Sequence, residues 1–208
     1  MAARPVSPSA LVRRSLRQSA VAGVAAYLAG YLLTALFVLV DGVEFSGDAD
    51  WLRVVGWVFY AAHSVELRLT GAAGERAATG TVDVFEWGSQ LTNLTDAVPE
   101  VLYLAVPVAV LVGTASALVR RVPDANVSAA NAGAVGASLL VGYLPLAVLG
   151  QLLFSQTETG FGGATSLTIG PDLLPSILAV GIVYPLICGA VGGVLARQSD
   201  GDSSRSRT

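Results

Sequence analysis

Four runs without a single charge, residues 18–40, 101–119, 133–154 and 173–196, constrain this chain more than any other feature. They are 23, 19, 22 and 24 residues long, and a helix crossing a hydrocarbon layer needs about 20 apolar residues at about 1.5 Å each. Lipid offers backbone N–H and C=O groups no water, so such runs cross as helices that satisfy their own hydrogen bonds. With 53% hydrophobic and 13% charged residues and a mean hydropathy of +0.65, the chain lies outside the range of soluble domains. The expected fold class is an all-α membrane protein of four transmembrane helices plus an extracellular amphipathic or interfacial helix. Residues 1–17 read as a cytoplasmic N-terminal tail, 18–196 as a single membrane domain, and 197–208 as a cytoplasmic disordered tail.

Orientation follows from the arginines, which are all twelve of the basic residues. With the N-terminus inside and four crossings, Arg4, Arg13, Arg14, Arg17, Arg120, Arg121, Arg197, Arg205 and Arg207 are cytoplasmic. Only Arg53, Arg68 and Arg76 are then outside. A fifth crossing at 54–69 would give six on each side and erase the asymmetry. Both termini are therefore expected in the cytoplasm of a multi-pass cell-membrane protein. Arg13-Arg14 ahead of the first run looks like a targeting signal, but the run is too long and lacks an A-x-A-like site, so it reads as a retained span.

The outer segment 41–100 contains an apolar stretch that is too polar on one side to cross. At 100° per residue, Val54, Val58, Ala61, Ala62, Val65 and Leu69 share one face, while Arg53, Tyr60, His63, Ser64 and Arg68 share the other. Trp51 and Trp57 add rings that favour headgroups, so 51–69 is expected to be one interfacial helix lying on the membrane or over the bundle mouth. The segment as a whole carries ten carboxylates against three arginines, as suits either a soluble outer surface or life in strong salt. Asn93-Leu94-Thr95 is a sequon on that side; the one at Asn126 would be cytoplasmic.

An arginine-flanked first span, the outer segment Gly56-Trp57-Val58-Phe59-Tyr60-Ala61-Ala62-His63 and three further Gly/Pro-bearing spans resemble a family of uncharacterised multi-pass membrane proteins of halophilic archaea. The likeness covers nearly the whole chain. It implies membrane localisation and no particular activity, although some members carry a transporter label.

Candidate chemistry is sparse. Tyr60, His63 and Glu66 form an interfacial polar cluster, with His63 expected to be packed and hydrogen-bonded, through Glu66 or Tyr60, and not bound to metal, because a protein-built zinc site needs three or four ligands. A single cysteine excludes an internal disulfide, and the lack of lysine excludes Schiff-base and Ser-Lys mechanisms. No nucleotide loop or basic patch is present, so neither a cofactor, an enzymatic activity nor nucleic-acid binding is expected.

Within the spans, small residues recur at helical spacing: Ala22, Ala26 and Gly30; Ala109, Gly113 and Ala117; Ala129, Gly133 and Ala137; Gly189 and Gly193. Such rows let backbones approach closely, within one bundle or in a homo-oligomer. Pro107, Pro145 and Pro185 interrupt the last three spans. Pro145 and Pro185 are expected to kink their spans toward a shared polar interior lined by Tyr143, Gln151 and Tyr184, where a carbonyl released at depth could meet a ligand. Two function classes fit: a small transporter- or channel-like protein of unknown substrate, which the three prolines favour slightly, and a non-catalytic membrane scaffold or accessory subunit.

Overall fold

The computed structural model describes residues 8–43, 50–91, 93–121 and 128–205. Arg4, Glu44, Asp48, Arg207 and the sequon asparagine Asn126 lie outside them. In chain order the elements are α1 (Pro8–Asp41), α2 (Trp51–Ala61), β1 (Leu67–Ala73), β2 (Arg76–Val82), α3 (Val84–Leu91) and α4 (Glu100–Arg120). They continue with α5 (Ala129–Ala137), α6 (Leu140–Leu153), β3 (Gln156–Gly160), β4 (Thr165–Pro171), the short turn α7 (Leu173–Pro175), a π-helix over Ser176–Val183, and α8 (Tyr184–Arg205). Four helical stretches are long and apolar enough to cross a membrane: Leu16–Asp41, Glu100–Arg120, Ala129–Leu153 and Leu173–Gln198.

The described residues fall into two compact units, one from Met1–Leu28, Val108–Leu146 and Gly181–Thr208, the other from Ala29–Pro107 and Ala147–Val180. In the first, glycine sets the spacing between helices. A Cβ on Gly136 would strike the carbonyl of Gly189, and one on Gly193 the carbonyl of Ala132, so α5 and α8 lie backbone against backbone. Gly23 and Gly142 do the same for α1 and α6 against Leu139 and Ala20, and Gly192 does so against Val112 of α4. Hydroxyls bond between helices as well: Ser116 Oγ donates to the Gly192 carbonyl at 2.8 Å. Ser138 Oγ lies 2.6 Å from Ser19 Oγ and 2.5 Å from the Val135 carbonyl, an arrangement in which it accepts from one and donates to the other.

The third span departs from regular helix at Ser138 and Leu139, and α6 then runs on through Pro145. The fourth departs ahead of Pro185. A proline ring clashes with the carbonyl four residues back, here Gly181, and the wider π winding that ends at Val183 gives that carbonyl room. The helix α8 continues to Arg205, through the tail expected to be disordered, because extending a formed helix adds one hydrogen bond per residue fixed.

The second unit corrects the all-α expectation, since it holds a four-stranded antiparallel sheet of order β2-β1-β4-β3. β1 and β2 form a hairpin in which Ala73 faces Arg76 across the two-residue turn Gly74-Glu75. Gly74 has φ 59°, the conformation that tight hairpin turns demand at their first position. β3 and β4 form the second hairpin, and β1 pairs with β4 from Leu67↔Pro171 to Ala73↔Thr165. The connection between the first two spans and that between the last two thus build one sheet.

The interfacial helix is corrected too. It ends at Ala61, and the strand β1 begins at Leu67, inside the span assigned to it. At eleven residues it is about 16 Å long, half the thickness of a hydrocarbon core. Ser64, with φ 60°, stops it: Ser64 N–H donates to the Ala61 carbonyl and Val65 N–H to that of Tyr60, the paired bonds of a left-handed helix cap. Nor does α2 show a wet face. Every residue from Val54 to Ala61 is buried, with Val54, Val55, Val58, Ala61 and Ala62 in a core that also takes in Val38, Leu67, Phe85, Leu94 and Tyr103. Its polar groups are answered by protein instead of headgroups, as the site geometry makes explicit.

Candidate functional site

The segment Gly56 to His63 is a clamp. Gly56 faces the ring of Phe154 so closely that a Cβ would enter it. Trp57 Nε1 donates to the Phe154 carbonyl at 2.7 Å, beyond the last turn of α6, where helix carbonyls lack partners of their own. Tyr60 OH donates to the Ala147 carbonyl in the same helix. From the other side Tyr31 of α1 stacks on Phe154 (centroids 5.6 Å, planes 3° apart) and donates to the Leu52 carbonyl at 2.7 Å. Of the residues on the supposed wet face, Tyr60 thus binds α2 to α6, while Trp57 and the Leu52 carbonyl tie it to Phe154 and to α1.

His63 closes this helix with no exposed surface. Its Nδ1 lies 2.8 Å from the Phe59 carbonyl, so the neutral ring carries its proton there. Its ring packs edge to face on Phe59 at 4.8 Å. Burial pushes the imidazole down to about 4 from its ordinary 6.5, the carbonyl bond opposing in part. Glu66 does not join it: past the reversal at Ser64 its side chain is exposed and lines a groove of about 280 Å³ with Asp83 and Glu100. Among the described residues, no three His, Cys, Asp or Glu side chains gather closely enough to hold a metal ion.

Asp41, which sequence reasoning counted merely among the outer acids, is 6% exposed. Its carboxylate accepts from the N–H groups of Thr95 (3.1 Å), Ala97 (2.9 Å) and Val98 (2.7 Å) and from Tyr103 OH. The end of α1 thereby fixes the loop that leads into α4. Thr95 takes φ 72° to present its N–H. The only hint in the sequence was an acid directly after an uncharged span, which is commonplace.

The residues assigned to a shared polar interior divide between the units. Tyr143 is fully buried in the first, its ring edge-on to Tyr27 at 5.2 Å. In that same unit Pro145 is exposed, Tyr184 half-buried and Pro185 buried. Gln151 belongs to the second, where Nε2 donates to the Pro171 carbonyl at 3.2 Å and Oε1 is buried without a donor. Around it lies a groove of about 350 Å³ whose lining includes Thr70, Ser155 and Thr168, closed by an ion pair of Arg68 with Asp172 at 2.5 Å. Hydroxyls, an amide and a paired charge can hold a small polar molecule.

With four apolar helices and the clamp around α2 in view, one comparison decides the family. The model of a family of unknown function, DUF7978, matches residues 3–200. The chain belongs to it. No curated protein and no solved structure matches the chain. For DUF7978 the match covers both hairpins as well as the spans, so sheet and clamp lie inside the family's own boundaries.

Proposed function

We propose that this chain is a non-catalytic membrane scaffold or accessory subunit: four spans hold a small sheet at one membrane face, with both termini on the cytoplasmic side. One observation carries the reading. Where helices meet in the first unit, glycines bring backbones into direct contact at Gly136–Gly189 and Gly192–Val112, so that interior is filled by the chain itself. Rigid, close-packed helices suit support, and side chains able to carry ions or protons through that packing would be costly in lipid. Gln151 bonded to a neighbouring backbone carbonyl agrees with this. The exposed carboxylates Glu66, Glu75, Asp83, Glu86 and Asp96 fit a head bathed in strong salt, as an archaeal halophile would require.

The bilayer is the partner this reading needs. Gly136, Gly189 and Gly193 are consumed within the chain, so they are not free to join a second copy. A transporter-like reading is favoured by the orphaned Oε1 of Gln151 beside its groove and by the π-wound fourth span. Proteoliposomes separate the two. A scaffold leaks small solutes and ions no faster than empty vesicles. Flux that Gln151→Leu abolishes, with the protein still folded in the membrane, would establish transport instead.

A further inference from the structure

The row Ala109, Gly113 and Ala117 of α4 does not go into helix packing. All three residues are exposed, and a Cβ built on Gly113 meets nothing within 4 Å. Across from Gly113 and Ala117 lie Val21, Ala22 and Ala25 of α1, and between the two helices runs a groove of about 570 Å³, all within the first unit. That volume is in the range of sites that hold a small organic ligand, about 300–1,000 Å³. Apart from the arginines, its lining is apolar except for Thr114 and, beside Arg17, Gln18. Arg17 and Arg121, at the start of one span and just past the end of the other, line the same groove. Both are exposed, and neither makes an ion pair among the described residues.

We infer that this groove seats one anionic phospholipid, with an acyl chain along Ala22, Ala25, Gly113 and Ala117 and the headgroup phosphate between the guanidinium groups of Arg17 and Arg121. Charge selects this occupant over a second copy of the chain. In a two-fold contact through the groove, the arginines of one copy would meet those of the other at the same depth, and like charges would face each other in a poorly solvated seam. A phosphate matches the guanidinium fork and releases neither charge into lipid. From Arg17 to Ala25 the helix rises about 12 Å, room for roughly half an acyl chain beneath the headgroup.

The test counts lipids on the purified full chain by native mass spectrometry, with phosphatidylglycerol or phosphatidylcholine added in matched acyl lengths. The expected result is one retained phosphatidylglycerol and no retained phosphatidylcholine. Arg17→Gln with Arg121→Gln should weaken retention by about tenfold or more, the loss of two charge-assisted contacts. Gly113→Leu, whose side chain enters open space, should weaken it as strongly with both arginines in place, and inorganic phosphate should not compete. Equal retention of the two lipids, unchanged retention in either variant, or displacement by inorganic phosphate would overturn the inference. So would a dimer that Gly113→Leu dissociates, which would make the groove an interface between copies.

Discussion

The only histidine in the chain permits an unusually clean titration. His63 is wholly buried, and burial holds its imidazole near 4 instead of 6.5. The folded protein therefore binds this proton more weakly than the unfolded chain does. Stability from the neutral ring is complete above 6.5 and is lost as the pH falls from there to about 4. Each pH unit in that interval is worth about 1.4 kcal/mol, so the total is about 3 kcal/mol. Labelling with ¹³C-histidine yields one imidazole signal that needs no assignment; its midpoint is expected near 4. In parallel, thermal midpoints of wild type should fall more steeply between pH 6.5 and 4 than those of His63→Phe, the carboxylates being common to both. A midpoint at or above 6.5, or parallel acid slopes in the two proteins, would refute a buried neutral ring.

Asp41→Ala strands three backbone N–H groups and the Tyr103 hydroxyl, and should cost about 3 kcal/mol in thermal or denaturant unfolding, with Asp41→Asn recovering part of it. A wild-type melting curve for the alanine variant would show that the carboxylate binds nothing important. Ser64→Gly should raise stability by about 1 kcal/mol, because a left-handed cap is strained for any residue with a Cβ. Gly136→Leu should abolish a monodisperse fold on size-exclusion chromatography, whereas Gly71→Ala, with nothing within 4 Å of its Cβ, should be tolerated. Thr70→Cys with Thr168→Cys, in a Cys188→Ala background, should oxidise to a disulfide, as facing residues of β1 and β4 do; a faster cross-link from Thr70→Cys to Ser166→Cys would mean another register.

The spans were legible because lipid imposes one demand, some 20 residues without charge, and the chain meets it four times. The sheet was not. Its strands read LRLTGAA, RAATGTV, QTETG and TSLTIGP, short and rich in small residues, and its central pairing joins segments far apart in sequence, which no local period records. Gly74 before Glu75 and the pair Gly162-Gly163 were the turn signals available. The arc of Tyr60 and His63 looked like a wet face because polar atoms were assumed to seek water. The Ala147 carbonyl of α6 answers Tyr60, and the Phe59 carbonyl of α2 answers His63, inside the fold, and only three-dimensional structure shows which partner a polar atom takes.

The pairing of β1 with β4 also imposes an order on how the protein can be made. β1 leaves the ribosome roughly a hundred residues before its neighbour β4, a wait of about 5 to 20 s at common elongation rates. Through that interval the first hairpin has one long edge bare, and bare edges recruit other strands. Among the described strands β4 covers it, and β4 follows the third apolar helix in the chain. A ribosome that stalls between the second and third spans thus leaves a sticky half-sheet on the membrane. The later hairpin is the piece that covers the open edge of β1.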